Sequence, residues 1–304
     1  MGVNPRDAHI CMGDVVDDRV GNECAGVVTK TGNAVSTLSP GDRVVLWCAG
    51  AYATVIHCPA ALAQKIPKDM GFELAASLPV AYTTAYYSLF HVGRAVEGEA
   101  VLVHSAGGSV GKAAVEMAME RGCRTFATVT SIEDRDILIS RYGISEANVF
   151  LSNDATLTAR IREINGGDGV DMVINSLAGK AEEAAWQVIA PLGRFVDLVN
   201  NPSHTTTTPP GVSYTQVDML AVLRTAPKLA ATVFEQVMRR IRDQNYSSSI
   251  PPAVKPMSKL ADCLRASLTE EAKTVLTFKQ RDAVPVSIPR KSQHRKLHRR
   301  VPDN

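Results

Sequence analysis

The feature that most constrains the fold is the segment from Val101 to Ala118. It opens with a short apolar run, Val101–Val103, which is typical of a buried parallel strand. Three glycines follow, and their spacing indicates a sharp backbone turn that another group approaches closely; they are Gly107, Gly108 and Gly111. Beyond them, apolar and small residues recur at helical spacing. The segment therefore predicts a strand, a glycine-rich turn and a helix in immediate succession.

The start of such a helix is a ready site for an anion. Its first backbone N–H groups have no partner within the helix, and the helix dipole is positive there. In doubly wound folds a dinucleotide pyrophosphate occupies this place. The strict G-x-G-x-x-G pattern is absent, because the turn reads Gly107-Gly-Ser-Val-Gly111. Taken alone, the turn fits a nucleotide site and a simple tight turn equally well.

Length and composition restrict the class of protein. The 304 residues suit one large domain or two ordinary ones, and 45% hydrophobic with 21% charged residues is typical of a soluble globular protein. A net charge of +2 gives no preference for nucleic acid. No signal peptide or membrane-length apolar run is present, so we expect a cytoplasmic protein with no membrane partner. The six cysteines lack a C-x-x-C, which favours free thiols.

Two kinds of hydrophobic pattern divide the chain. Short runs punctuated by Gly and Pro predict strands at 21–32, 39–46 and 51–57, which indicates a small β-rich domain. From 101 to 199, apolar runs alternate with segments of helical spacing. This alternation predicts a doubly wound parallel sheet, and hence an α/β fold.

Three later segments have patterns of their own. Residues 225–241 predict a helix with one apolar face. Residues 202–211 include four successive threonines and predict a surface loop. Residues 290–300 are strongly basic and predict a solvated tail, with nucleic-acid contact and targeting as alternatives.

Seven short motifs occur along the chain in a fixed order. They are Asn4-Pro-Arg-Asp7, Gly21-Asn-Glu-Cys-Ala-Gly26, Pro40-Gly-Asp-Arg-Val44, Ala75-Ala-Ser-Leu-Pro79, Thr84-Ala-Tyr-Tyr-Ser88, His104-Ser-Ala-Gly-Gly108 and Asn175-Ser-Leu177. Together they resemble the enoylreductase domain of fungal highly reducing polyketide synthases, within the medium-chain dehydrogenase/reductase superfamily. The resemblance extends from about Gly2 to Phe278.

That resemblance implies NADPH-dependent reduction of an α,β-unsaturated thioester carried on the phosphopantetheine arm of an acyl carrier protein. It implies a Rossmann cofactor domain at 79–221 and a GroES-like β-rich catalytic domain formed by 1–78 and 222–280, followed by the basic tail at 281–304. Family members begin with further strands of the β-rich domain, so we expect this copy to be truncated at its N-terminus. A homodimer and contacts with other synthase domains are implied as well.

The same resemblance bears on metal binding. Zinc-containing members of the superfamily have a ligand histidine where this chain has Asn22, directly before Glu23. A structural zinc site needs thiolates or imidazoles at suitable spacing, and no four-cysteine lobe is present. We therefore expect a zinc-independent protein.

The resemblance and the doubly wound fold together predict residues that hold the cofactor. The turn and the first turn of its helix would face the pyrophosphate, and neighbouring strand ends would face the nicotinamide and the adenosine ribose. The predicted cofactor-binding residues are Thr84, Gly107, Gly108, Ser109, Val110, Gly111, Thr130, Ser131, Arg135, Asn175, Ser176 and Leu177. For Asn175, the cap of a helix is the alternative interpretation.

The adenosine end favours NADPH over NADH. In NAD enzymes an acidic residue about 20 positions beyond the glycine turn binds a ribose hydroxyl, and here the second strand ends in Thr128-Val-Thr-Ser131 without an acid. The hydroxyls, with Arg135 one helical turn later, suit a 2′-phosphate. Asp134 stands where the family pattern has a lysine, and Arg135 has the alternative of a solvated helix face.

For the chemistry itself, the resemblance implies catalytic roles for Asn4, Asn200 and Asp218. Some polyketide enoylreductases carry a lysine at the position of Asn200 and an aspartate at that of Asp218. An asparagine donates a hydrogen bond to an enolate but does not readily deliver a proton, and losing a positioned proton donor lowers a rate about 10²- to 10⁴-fold. For Asp218, a solvated acid at a strand end is an equal alternative.

Two further hypotheses stay open. A quinone or enone oxidoreductase of the same superfamily is the alternative among enzymes. A catalytically degenerate, nucleotide-binding fragment of a synthase is the alternative outside them, since Asn200 and Ser109 depart from the family pattern. Ser109 replaces the second glycine of the family turn, and a positive φ at that position would cost a serine about 1–2 kcal/mol.

Overall fold

A computed structural model describes residues 1–15, 17, 19–198, 210–244, 251–269 and 272–278. Asn200, the four threonines and the basic C-terminal tail, for which the sequence makes specific predictions, lie outside the described residues.

The first part of the chain forms short strands and helices. They are strand β1 (Gly2–Val3), helix α1 (Pro5–Met12), strands β2 (Glu23–Val27), β3 (Arg43–Trp47) and β4 (Ala63–Lys65), and helices α2 (Phe72–Ala75) and α3 (Pro79–Tyr86). Strands β2, β3 and β4 pair antiparallel in that order. A 3₁₀ turn (Ala60–Leu62) leads into β4, and a π-helical turn (Tyr87–Val92) continues α3.

The middle of the chain alternates strands and helices. They are β5 (Ala100–Val103), α4 (Ser109–Glu120), β6 (Arg124–Val129), α5 (Ile132–Tyr142), β7 (Val149–Leu151), α6 (Leu157–Ile164), β8 (Val170–Asn175), α7 (Lys180–Val188), β9 (Ile189–Asp197) and β10 (Ser213–Gln216), with a 3₁₀ turn (Glu146–Asn148) before β7. The six strands are parallel, in the order β10-β9-β8-β5-β6-β7. The chain runs outward from β5 in both directions, which confirms the doubly wound prediction and places a topological switch point between β5 and β8.

Strand β5 shows why both faces of the sheet are covered. Val101 and Val103 point into a core that includes Ala114 of α4. Leu102 points to the opposite face and packs in a second core with Ile161 of α6. Side chains alternate along a strand, so a continuous apolar run fits only a strand that is buried on both faces.

The last part of the chain returns to the N-terminal strands. It contains α8 (Met219–Thr225), α9 (Pro227–Gln244), β11 (Ala253–Pro256), a 3₁₀ turn (Met257–Lys259), α10 (Leu260–Ala266) and β12 (Thr274–Thr277). Strand β12 lies between β1 and β11, antiparallel to the first and parallel to the second. The two ends of the chain therefore share one sheet. The predicted helix at 225–241 is present as α9, and the domain boundaries at 78 and 221 stay a prediction.

One predicted strand is wrong. Residues 51–57 do not form a strand, and the third strand of the antiparallel sheet is β4. The alternation at 51–57 has another cause, because the backbone N–H groups of Ala51 and Tyr52 bond back to the carbonyls of Gly21 and Val20 at 3.0 and 3.4 Å. These two residues are bonded to the segment just before β2 and do not run along a neighbouring strand.

Helix α1 is an element that the hydrophobic pattern does not reveal. Its signal lies in its caps: Pro5 occupies the first turn, and the carboxylate of Asp7 accepts the N–H of Asn4 at 2.9 Å. Gly13 ends the helix in the left-handed conformation with φ 86°. The result is that Asn4 stands at the start of a helix, directly after β1.

Two wider properties complete the description. All six cysteines are free thiols, as their spacing predicts. Within the described ranges, no helix combines the length and apolar character needed to cross a bilayer.

Candidate functional site

A cleft of about 630 Å³ opens where β5 and β8 end, and it extends to α1 and β12. Open parallel sheets bind their ligands at this edge, next to the switch point. One side of the cleft is formed by the turn between β5 and α4, residues 105–111, here called the turn wall. The other side includes Asn4 and Lys273, which line the cleft, with Glu23 behind them. These three residues are here called the charged wall.

The turn wall is shaped by glycine. Gly108 is the N-cap of α4, and α4 begins at Ser109. A Cβ added to Gly111 would lie 2.3 Å from the carbonyl oxygen of Ser105 and 2.6 Å from Cα of Ala106, so no side chain fits between helix and turn. The unpaired N–H groups at the start of α4 consequently reach the cleft edge with little side chain in the way, and this geometry fits a dinucleotide pyrophosphate.

Ser109 does not have the strained, positive-φ backbone that the family resemblance raised as a concern. Among the non-glycine residues of this turn, positive φ is found at Ser105, with 48°. Ser109 has helical backbone as the first residue of α4 and lies partly exposed at the cleft. The serine is accommodated because the left-handed position of the turn lies four residues earlier.

At the predicted nicotinamide end, two of the four predicted residues line the cleft, whereas Asn175 and Leu177 do not. Thr84 and Ser176 are in the lining, and Thr84 Oγ1 donates to the carbonyl of Val80 at 2.6 Å. Asn175 is fully buried, and its amide donates to the carbonyl of Leu177 at 2.8 Å and to Asp197 Oδ1 at 3.0 Å. The side chain of Asn175 therefore holds the loop after β8, and any effect on a ligand acts through Ser176 and its neighbours.

His104 shares this buried network. Its Nδ1 lies 2.8 Å from Asn175 Oδ1, so the histidine donates there as the Nδ1–H form. Burial lowers the pKa of His104 to about 4, against the opposing effects of Asn175 and of the Asp197 carboxylate. His104 is therefore neutral at physiological pH and stiffens the end of β5 without supplying a proton.

The charged wall combines residues from distant parts of the chain. Lys273 Nζ donates to Asn4 Oδ1 at 2.6 Å and to the carboxylate of Glu23, and only 9% of the lysine side chain is exposed. Asn4 Nδ2 donates to the same carboxylate at 3.0 Å. Glu23 is fully buried and also accepts the N–H of Val80 at 2.8 Å. The amide of Asn4 is thus fixed from both ends at the cleft surface.

A second buried carboxylate supports this wall from behind. Asp7 accepts the N–H groups of Asn4 and Gly21 and the hydroxyl of Tyr52, while burial raises its pKa. Asn22 Nδ2 lies 3.4 Å from the same carboxylate, which turns Asn22 Oδ1 away from Asp7. That oxygen is buried without a hydrogen-bond donor among the described residues, and Asn22 lines the cleft. This oxygen can accept a further hydrogen bond, and a buried polar atom left unpaired costs about 1–3 kcal/mol.

Asp218 lies in the cleft lining with a clear structural task. It is the N-cap of α8, where its Oδ1 accepts the N–H of Leu220 at 2.9 Å and that of Ala221 at 3.2 Å. Its Oδ2 accepts from the Arg6 guanidinium at 3.3 Å. A catalytic role for Asp218 stays a prediction.

The predicted adenosine end lies at the tip of β6. Thr130 is exposed there, and Ser131 caps α5 by accepting the N–H of Asp134 at 3.1 Å. The guanidinium of Arg135 donates to Glu146 at 2.8 Å. Gly107 lies in the turn before α4, outside the cleft lining.

Sequence reasoning missed Lys273 altogether. No local pattern marks it, because its role depends on the pairing of β12 with β1, which brings the two ends of the chain together. Within the part of the chain that the structure describes, no group of three or more His, Cys, Asp or Glu side chains is arranged to hold a metal ion.

Comparison with known proteins places the chain in a family. Residues 1–68 match the alcohol dehydrogenase GroES-like domain, and residues 109–242 match the zinc-binding dehydrogenase family. A highly reducing polyketide synthase from Talaromyces stipitatus is 35% identical over 274 residues, which are 88% of this chain and 11% of the synthase. The chain belongs to the medium-chain dehydrogenase/reductase superfamily. The chain spans about one tenth of the length of that curated relative.

Solved structures agree with that assignment. The CurK enoyl reductase superposes on this chain with a TM-score of 0.79 at 28% identity, covering 91% of this chain and 88% of that one. A mycobacterial protein solved in complex with NADPH gives a TM-score of 0.76 at 26% identity, covering 91% and 88%. The predicted resemblance to polyketide enoylreductases is confirmed.

Proposed function

We propose that this chain reduces the α,β-double bond of an enoyl thioester with NADPH, the acyl group being carried on the phosphopantetheine arm of an acyl carrier protein. The observation that carries the proposal is the cleft between a turn wall suited to a pyrophosphate and a charged wall that presents a fixed amide and an ammonium. The likeness to the CurK enoyl reductase over most of both chains supports the same reaction class.

The reaction asks little covalent chemistry of the protein. The bound nicotinamide supplies a hydride to the β-carbon of the substrate. Negative charge then develops on the thioester oxygen, where fixed N–H donors stabilise it, and a proton from water at the α-carbon completes the reduction. Asn4 suits this task, because Lys273 and Glu23 already fix its amide. The charge of the Lys273 ammonium is balanced by its ion pair with Glu23.

NADPH is proposed over NADH on three grounds. The end of β6 has no acid within Thr128–Ser131. Basic side chains follow in the first turns of the neighbouring helices, at Lys112 and Arg135. A structural neighbour at 26% identity was solved with NADPH bound.

The test is turnover by the purified chain. We expect oxidation of NADPH, followed by its absorbance, with a crotonyl or longer enoyl thioester of pantetheine, and mass spectrometry should show the saturated acyl product. Turnover of free quinones but not of thioesters would assign the chain to the quinone or enone oxidoreductases instead. Cofactor binding without turnover of either substrate would identify a degenerate domain.

A further inference from the structure

A partly buried ion pair lies at the predicted adenosine end of the dinucleotide site. Lys112 belongs to the first turns of α4, Asp134 belongs to the first turn of α5, and Lys112 Nζ lies 3.1 Å from Asp134 Oδ1. The two side chains are only 14% and 17% exposed. Two helices that both begin at the ligand-binding edge of the sheet are thus joined by opposite charges.

Position in the fold connects this pair with the adenosine ribose. In doubly wound dinucleotide sites, the group that recognises the ribose 2′ position stands about 20 residues beyond the glycine turn, after the second strand. Asp134 follows Gly111 at about that spacing and lies in the first turn of the helix that follows β6. Its other oxygen, Oδ2, accepts from Ser131 Oγ at 2.8 Å. Position in the fold thus points to this carboxylate as a neighbour of the ribose 2′ substituent.

The other nearby cation is directed elsewhere. The guanidinium of Arg135 donates to Glu146, whose side chain is 71% exposed, near the start of β7. Lys112 is instead held in the space between α4 and α5 by Asp134. Of these two basic residues, Lys112 is the one whose ammonium lies between the starts of α4 and α5.

We infer that Lys112, and not Arg135, is the cation that contacts the 2′-phosphate of the cofactor, and that Asp134 is its internal counter-ion. The inference rests on the proposed use of NADPH. An arriving 2′-phosphate shares the lysine with Asp134 and is repelled by that carboxylate. A cofactor without the phosphate leaves the pair intact and offers its 2′-hydroxyl to Asp134. Because of Asp134, the chain prefers NADPH over NADH less strongly than it would with Lys112 alone.

Binding of two nicotinamide-free ligands tests this without turnover. The ligands are ADP-ribose and its 2′-phosphate derivative, and calorimetry gives the ratio of their dissociation constants. We expect Asp134→Asn to raise the preference for the phosphorylated ligand about tenfold, because like charges no longer meet. Relative to that variant, Lys112→Met/Asp134→Asn should lose about 10- to 100-fold of the preference, as expected for a charged hydrogen bond. The double variant leaves no unpaired charge, so its fold is preserved.

Arg135→Met is the matched control. Its salt bridge is partly exposed, so the preference should change less than about threefold. A loss of preference in Arg135→Met together with an unchanged ratio in the double variant would overturn the inference and return the role to Arg135. Failure of the unsubstituted chain to bind NADPH, ADP-ribose or the 2′-phosphate derivative would overturn the proposed cofactor use itself. Tight NADPH binding with a ratio that none of the variants changes would overturn only the inference.

Discussion

The two walls of the cleft are built on different physical principles. The turn wall is contiguous in sequence and acts through backbone: unpaired N–H groups, a helix dipole and a glycine at 111 that no Cβ can replace. The charged wall gathers Asn4, Glu23 and Lys273 from both ends of the chain and acts through buried side chains. We therefore expect the turn wall to be sensitive to added side-chain volume. We expect the charged wall to be sensitive to any substitution that leaves a buried charge or hydrogen-bonding group without its partner.

The largest expected effect comes from breaking the charged wall. Lys273→Met leaves the fully buried Glu23 carboxylate without its cation, and an uncompensated buried charge costs about 3–5 kcal/mol. Urea unfolding followed by circular dichroism measures the loss. Adding Glu23→Gln should restore most of it, since the glutamine is neutral and keeps an oxygen for the N–H of Val80.

Lys259→Met is the matched control for that experiment. Lys259 is exposed and lies 3.8 Å from Asp262 on the surface, so its loss should change the free energy of unfolding by less than about 0.5 kcal/mol. Equal stability of Lys273→Met and Lys259→Met would show that the charged wall does not depend on its ion pair.

The same contrast explains what the sequence reveals. Gly107, Gly108 and Gly111 sit between an apolar run and a helical pattern, so the turn wall and the parallel sheet are predictable from adjacent residues. Lys273 has no such neighbours, and its place depends on β12 pairing with β1 across almost the whole chain. The false strand at 51–57 has a related cause, because alternation does not reveal whether a neighbouring strand exists.

Asn175 and Asp134 add a finer lesson. The order of strands and helices in the sequence is enough to place both residues at the carboxyl edge of the sheet. It did not show that the Asn175 amide is already engaged by Leu177 and Asp197, or that Asp134 is paired with Lys112. Such roles depend on side-chain direction, which the pattern of a single sequence does not contain.

The second effect concerns His104, which lies at the base of the turn wall. Its pKa is about 4 in the folded protein and about 6.5 in an unfolded chain. The unfolded chain therefore takes up the proton first, so the stability that neutral His104 contributes is present above pH 6.5 and is lost as the pH falls from 6.5 towards 4. Each tenfold difference in proton affinity is worth about 1.4 kcal/mol, which gives a loss of roughly 3 kcal/mol.

His104→Gln isolates this contribution from those of the carboxylates. The glutamine keeps an N–H for Asn175 Oδ1 but does not titrate. The difference in unfolding free energy between pH 7 and pH 4, measured in urea, should be smaller in the variant by roughly 3 kcal/mol. An identical pH dependence in both proteins would mean that His104 is not held neutral, and the turn wall would then contain a charge.

The smallest expected change in stability tests whether the turn wall really depends on volume. In Gly111→Ala, the added Cβ meets backbone atoms of Ser105 and Ala106, which cannot rotate away as a side chain does. Overpacking of this kind costs about 1–3 kcal/mol. Gly108→Ala is the control, since its Cβ would lie 3.4 Å from the Ser105 oxygen, an ordinary contact, at a φ of −74° that alanine adopts freely. Thermal unfolding should therefore separate the two variants, although both add one methyl group within the same turn.

If Gly111→Ala unfolds at the same temperature as Gly108→Ala, α4 does not pack against the turn this closely. The turn wall would then not be limited by side-chain volume, and the contrast with the charged wall would not hold.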